Sequence, residues 1–402
     1  MRANGQKLRS TLSVVCWTLA VVGYFFQFPF SELAIFIAPL IVAYILLEFR
    51  DFYLLKNRVY LIVFAVFLAY LVFSVIRALA LGNGFYRILR FSVIIGLLPL
   101  CSLVRDRNFK KKWDIFFKIA VVKSLVLLAI WVLLLREGDH RLFREWASSN
   151  GYGDIYLLSR WNARVQVQGN PLLLVAFIVD FTKRRRFTIP NAIILGGVLA
   201  AGNFAYILGL GAFFLWQACM YIPKWIQEGK VSKRAVTIVL VCCLVVALSY
   251  SVSKIIEKAE FSNKIRIEQV GILLDANPVI GEGLGNYIQK ETSMRKYDGD
   301  IYFELQTLYI YNQVGLIGLA LGYYLTGLPL WKRSRNRLMV YLLYLFFSFW
   351  NPYCWDMTHM VVLLILGNTA GLGAKNEKSD YYSVFSFCKR QIERGRNRLS
   401  GR

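Results

Sequence analysis

Apolar residues run along this 402-residue chain in long blocks, and short polar or basic runs separate them. A helix that crosses the hydrocarbon layer of a membrane needs about 20 mainly apolar residues. Blocks close to that length predict twelve spans, at 11–29, 32–48, 59–80, 88–104, 114–135, 168–182, 188–202, 204–222, 235–253, 306–330, 338–350 and 357–373. The run 188–222 has a break at Gly202-Asn203 and is read as two spans. The basic N-terminus and the apolar run from Leu12 have the outline of an export signal, but no small-residue cleavage site follows, so the first span is read as retained.

Composition narrows the class. Hydrophobic residues make up 57% and charged residues 18%, against about 45–50% and about 25% in soluble domains. That excludes a soluble globule, and 15% aromatic residues exclude a disordered chain. The net charge is +24. Such an excess can signal nucleic-acid binding when it clusters on a water-exposed surface. Here it sits in the short runs Arg105 to Lys112, Lys183 to Arg186 and Lys332 to Arg337 between apolar blocks, so nucleic acid is not an expected partner. With the N-terminus inside, every one of these runs falls on the cytoplasmic side, as the positive-inside rule asks. The expected fold class is an all-α polytopic membrane protein with both termini cytoplasmic. Residues 1–373 form one transmembrane domain, and 374–402 form a basic tail lying on anionic lipid headgroups. The seven cysteines lie mostly inside apolar blocks with no C-x-x-C, so neither a zinc site nor a disulfide framework is expected.

Two outer loops are long, 136–167 and 254–305, and long loops between packed elements usually carry function. The first holds Arg136, Arg141, Arg144, Arg160 and Arg164. Spacings of three (Arg141, Arg144) and four (Arg160, Arg164) put each pair on one helix face. Guanidinium is a planar fork suited to phosphate. The alternative for each arginine is an interfacial role beside lipid phosphates or Glu137, Asp139 and Glu145. Arg77, Arg87 and Arg90 stand at outer helix ends, with snorkelling to headgroups as their alternative.

The second loop predicts an amphipathic helix over 262–275, with Arg266 and Gln269 on its polar face, ended by Asn277-Pro278. Gly281, Gly283 and Gly285 follow; they fit a sugar or phosphate cradle, or a plain turn. Arg295, Lys296, Asp298, Asp300 and Tyr302 lead to Glu304 at the mouth of the tenth span. Glu304 is a candidate general base beside arginines, or a solvated helix-start carboxylate. Within that span Gly318 and Gly322 have the spacing of a close helix contact. Asn351, Tyr353, Trp355, Asp356 and His359 gather near the eleventh and twelfth spans. Lys123, about nine residues into its span, is an ionisable group at a costly depth that usually faces a cavity.

These motifs carry a resemblance over roughly residues 160–370. The order R-x5-N-P from Arg164, S-N-x2-R-x2-Q from Ser262, N-P-x2-G-x-G-L-G from Asn277, E-x10-G-L-I-G from Glu304 and N-P-Y from Asn351 resembles bacterial O-antigen polymerases of the Wzy type, within the O-antigen ligase/polymerase superfamily. Ligases of that superfamily carry a histidine-containing pair eleven residues before the first glycine. This chain has Glu304-Leu305 there, which looks like the polymerase branch; its eighth span reads A-G-N-F-A-Y where the family often has S-R.

The resemblance implies a GT-C-like helical bundle in the bacterial inner membrane with its active site facing the periplasm. It implies an undecaprenyl-diphosphate-linked oligosaccharide as substrate, extended by inverting glycosyl transfer onto the next repeat unit. Glu304 would be the base and Arg266 the group that stabilises the leaving diphosphate. Arg160, Arg164, Arg295, Gln269, Tyr302, Asn351 and His359 would bind diphosphate or glycan. No nucleotide is called for, because the lipid diphosphate already activates the sugar, and no metal is expected. Membrane lipids, a chain-length regulator and a flippase are the partners it implies. Two rival readings remain. One is a ligase that moves glycan to lipid A-core. The other is a transporter of lipids or solutes, which predicts repeated halves and mid-membrane charge.

Overall fold

The computed structural model describes residues 2–48, 57–106, 108–138, 141–159, 162–227, 262–292, 296–298, 303–349 and 351–372. Among them the chain is mainly helical. In order come α1 (Arg2–Phe25), α2 (Ala34–Glu48), α3 (Arg58–Ala80), α4 (Phe85–Leu103), α5 (Phe109–Glu137) and α6 (Arg141–Ser149). A hairpin of β1 (Gly153–Ser159) and β2 (Asn162–Val167) precedes α7 (Pro171–Arg184), α8 (Ile189–Ala200) and α9 (Phe204–Gln227). Then follow α10 (Ser262–Leu274), the short strands β3 (Gln289–Glu291) and β4 (Lys296–Asp298), α11 (Gln306–Arg333), α12 (Arg335–Phe349) and α13 (Met357–Asn368). Every expected span except 235–253 overlaps one of these helices; that span, the tail 374–402, Arg160, Arg295, Asp300 and Tyr302 lie outside the described residues.

Five of the described helices are long and apolar enough to cross a membrane: Gly5–Phe25, Arg58–Ala80, Phe85–Leu103, Phe109–Glu137 and Gln306–Arg333. Their outward faces carry large apolar side chains in the open, for example Val59, Ile62, Val66, Phe73 and Ile76 of α3. Water would penalise that much contiguous apolar surface, whereas lipid does not. The chain is a multi-pass membrane protein on this ground. Two shorter helices, α7 and α13, sit in the middle, buried along nearly their whole length, as apolar helices without a polar face must be.

The bundle has two distinct ends. At the basic end, arginines finish helices whose last carbonyls have no partner within the helix. Arg333 Nη2 donates to Leu103 O at 3.2 Å and Val104 O at 3.1 Å, and its Nη1 to Gly367 O. Arg337 Nη1 donates to Leu366 O and Gly367 O, both at 2.6 Å. At the opposite, loop end stand α6, the β1–β2 hairpin, α10 and the segment 351–356. There Gln166 Nε2 donates to Tyr353 Oη at 3.4 Å, Asn203 Nδ2 to Asn351 Oδ1 at 3.1 Å, and Tyr24 and Thr358 share a hydroxyl bond of 2.8 Å.

The hairpin corrects one expectation. Arg160 and Arg164 were expected to share a helix face, but Arg164 lies on strand β2, paired with Tyr156 across the antiparallel register. Ala163, Val165 and Val167 turn inward and Asn162, Arg164 and Gln166 turn outward. That alternation of period 2 is visible in the sequence and favours a strand.

The tenth span is not one helix either. Gly315 has φ 60° and ψ −172°, a conformation open to glycine, and it splits α11. A split exposes backbone donors and acceptors that cost about 1–3 kcal/mol each when unpaired. The Asn277–Gly285 loop takes them up. Leu316 N donates to Pro278 O at 3.0 Å and Ile317 N to Val279 O at 3.2 Å. In return Glu282 N donates to Asn312 O at 2.7 Å and Gly283 N to Gln313 O at 2.9 Å. Only glycines allow this approach, since a Cβ on Gly281 would lie 2.5 Å from Gln313 O and one on Gly315 2.3 Å from Val279 O.

Candidate functional site

The insertion of that loop into α11 decides what the glycines can do. Gly281 N donates to Asn277 O, Val279 N and Ile280 N to Asn277 Oδ1, and Gly285 N to the Gln313 side chain at 2.9 Å. With Glu282 N and Gly283 N spent on α11, these amides are not free to hold a phosphate. Of the two sequence readings, the turn describes the loop. It also packs against the ends of α3 and α4: a Cβ on Gly283 would meet Ala78 Cα at 2.9 Å, and one on Gly285 would meet Ile88 N at 2.7 Å. Arg77 consequently faces Glu282 at 3.6 Å, and Arg87 lies 4.1 Å above the Tyr287 ring.

Beside this plug stands the carboxylate. Phe303 and Leu305 are buried while Glu304 between them is only partly so, because the segment before α11 is extended and alternates its side chains. An aromatic ladder fixes it: Tyr297 stacks on Phe303 at 5.2 Å, Phe303 on Tyr309 at 4.9 Å, and Tyr309 meets Phe91 of α4 edge-on at 5.6 Å. The sequence carries no sign of this ladder, since Tyr297, Phe303 and Tyr309 belong to three different local elements and Phe91 is distant in the chain.

From α10, Arg266 reaches Glu304 with Nε at 3.0 Å and Nη2 at 2.9 Å, both on Oε2. Gln269, three residues on, accepts from the Glu304 backbone N–H at 3.1 Å. Helix spacing puts Gln269 on the polar face with Arg266; it is fully buried, and its Nε2 has no partner among the described residues. Gln313 is likewise fully buried with an unpartnered Nε2. Buried donors without acceptors are uncommon and call for an explanation. The α10–α11 junction therefore offers a guanidinium, a carboxylate with one oxygen outside the ion pair, and a buried amide donor at one rim.

The hairpin forms a second rim. Arg164 donates through Nη1 to Tyr156 Oη at 3.1 Å and through Nη2 to Gln166 Oε1. Arg144 of α6 lies 4.6 Å over the same Tyr156 ring and 3.8 Å from Asp154. Segment 351–356 runs between the rims. Tyr353 takes the bond from Gln166, and Thr307, just inside α11, is within hydrogen-bonding reach of Cys354. Trp355 lies against Gly322, where a Cβ would sit 2.3 Å from its ring, so the Gly318/Gly322 spacing accommodates aromatic rings rather than a second helix backbone.

Asn351 and His359, expected among the substrate binders, are buried and engaged. Asn351 accepts from Asn203 and donates to Phe347 O at 3.4 Å. His359 Nδ1 accepts from Trp355 N at 3.2 Å, which leaves the ring proton on Nε2, facing Tyr341 Oη at 2.9 Å. Both hold the 351–356 segment in place rather than line its surface. Asp356 caps α13, accepting from His359 N at 3.0 Å and Thr358 Oγ1 at 2.7 Å; loss of water around it pushes its carboxyl up to about 6 against those bonds.

Lys123 of α5 is fully buried, its Nζ without a hydrogen-bond partner among the described residues and 5.5 Å from the Phe28 ring. Comparison with protein-family models, with curated proteins and with solved structures gives no match.

Proposed function

We propose that this chain is a glycosyltransferase that polymerises lipid-diphosphate-linked oligosaccharide repeat units, working at the loop end of the bundle. The observation that carries the reading is the Arg266–Glu304 pair held beside the unpartnered amide of Gln269. Glycosyl transfer from a lipid diphosphate needs a fixed positive group for the departing phosphate and a base for the attacking hydroxyl. Arg266 spends Nε and Nη2 on one carboxylate oxygen, which leaves Nη1 for phosphate and Glu304 Oε1 for a sugar hydroxyl proton. A phosphate arriving at Arg266 competes with the ion pair, so donor binding itself frees the base. Attack from the face opposite the diphosphate inverts the anomeric carbon, the lipid diphosphate leaves, and the hydroxyl proton ends on Glu304. Arg164 and Arg144 on the hairpin rim supply positive charge for the same ligands.

The basic runs at the other end support placing the loop end outside the cytoplasm, where a lipid-linked glycan with no nucleotide must be handled. The bacterial inner membrane, both termini cytoplasmic and a periplasmic site complete the proposal. The test is Glu304→Gln in cells that make a surface polysaccharide through this protein. Loss of the long-chain ladder with core plus one repeat retained supports a polymerase. Bare core supports a ligase, and an unchanged ladder removes Glu304 from the mechanism.

A further inference from the structure

At the basic end, away from the site above, a groove of about 610 Å³ lies between α1 and the start of α5. Lys110 and Lys111 line it from α5, Asn108 from the residue that precedes α5, and Ser10 and Thr11 from α1. Val14 and Val15 of α1 make its apolar wall. From there an exposed stripe of Leu8, Leu12, Val15 and Leu19 runs along α1 at the spacing of one helix face.

The walls are held rigid from behind. Lys112 donates to Glu48 Oε1 at 3.1 Å, to Asp106 and to Ser13. Trp17 Nε1 donates to Lys112 O at 3.0 Å, tying α1 to α5. This network consumes two of the nearby acids. Asp106 and Glu48 pair with Lys112, and Asp114, one turn after Lys110 on α5, is exposed and forms no ion pair with Lys110 or Lys111 among the described residues. Lys110 and Lys111 are exposed and have no acidic partner among the described residues. Two ammonium groups outside any ion pair among the described residues, with the Ser10 hydroxyl and the Asn108 amide, thus stand at one end of a groove whose other end is hydrocarbon; the Thr11 hydroxyl is spent on Lys7 O at 3.1 Å.

We propose that this groove binds one anionic glycerophospholipid. Its phosphodiester sits between Lys110 and Lys111, with Asn108 and Ser10 on the headgroup, and an acyl chain lies along the α1 stripe. A lysine near an anionic lipid surface adds about fivefold to affinity, and two of them about thirtyfold together. Apolar contact adds to this, so neither a neutral lipid nor a bare anion satisfies the whole groove. The bound lipid would clamp α1 to α5, independently of the reaction at the far end.

The full-length protein in a neutral detergent tests this, with phosphatidylglycerol, phosphatidylcholine or inorganic phosphate added. Native mass spectrometry counts retained lipid, and thermal unfolding reports stabilisation by a ligand that binds only the folded state. Phosphatidylglycerol should be retained and raise Tm, while phosphatidylcholine and phosphate should not. Lys110→Gln with Lys111→Gln should weaken retention about thirtyfold and leave the lipid-free Tm unchanged. Thr11→Trp, which fills the groove without altering charge, should also abolish the shift. Equal protection by phosphatidylcholine or by phosphate overturns the proposal, as does full phosphatidylglycerol retention in either variant.

Discussion

Arg266 and Glu304 come from segments 38 residues apart, yet two guanidinium nitrogens converge on one carboxylate oxygen, at 3.0 and 2.9 Å. A lysine cannot make that double contact, because it offers a compact point charge in place of a planar fork. Arg266→Lys is expected to keep the fold and lower polymer formation. Glu304→Gln, which removes the base, should cost about 10²–10⁴ in rate, the usual yield of a positioned base. The double variant should be no worse than the poorer single, since coupled residues do not add. Initial rates on lipid-linked repeats measure all three.

Gly315 and Gly281 meet backbone to backbone where α11 is split. Alanine at either position needs both a left-handed backbone and a Cβ where a carbonyl now stands. Gly315→Ala is expected to destabilise by more than about 2 kcal/mol and to lower Tm in detergent. Gly271→Ala on α10, where nothing lies within 4 Å of the new methyl, should leave Tm unchanged or slightly raised.

Lys123 buries its Nζ with no hydrogen-bond partner among the described residues and only the Phe28 ring nearby, a costly arrangement in a protein interior. Lys123→Met keeps the length and removes the charge. It should raise Tm. A fall in Tm would mean that Nζ holds a ligand or water that stabilises the bundle.

Asp356 titrates at about 6 in the fold and near 3.9 when unfolded. Between those values the folded state binds more protons than the unfolded state. Its contribution is therefore complete below about pH 4 and is lost as pH rises through about 6. The change is at most about 3 kcal/mol, less for the water its rim still sees. Asp356→Asn preserves the cap and should flatten the dependence of Tm on pH between about 4 and 6.

Within the described residues the apolar blocks were legible as helices because each is long enough to be counted, and five of these helices are long and apolar enough to cross a membrane. Glu304, Arg266 and Gln269 were legible as a neighbourhood, through their helix spacing and the tenth span's mouth. What the sequence hid depends on contacts between distant segments. The aromatic ladder under Glu304 joins Tyr297, Phe303, Tyr309 and Phe91. Gly315 gives no local sign that its helix breaks, since the Asn277–Gly285 loop supplies the missing hydrogen bonds from elsewhere. His359 reads like an interfacial residue, and only Tyr341 and Trp355 closing around it show that it is a buried support. The β1–β2 hairpin is legible in the alternation of Arg164-Val165-Gln166-Val167, but the four-residue interval from Arg160 to Arg164 fits a helix equally well and masks it.

The most direct measurement uses purified protein in liposomes with lipid-diphosphate-linked repeat units, without nucleotide and without an ion gradient. The account predicts polymer of inverted linkage from the wild-type chain and about a hundredfold less or lower still from Glu304→Gln. Lipid-linked glycan crossing the bilayer with no polymer formed, or polymer made equally well by Glu304→Gln, would contradict it.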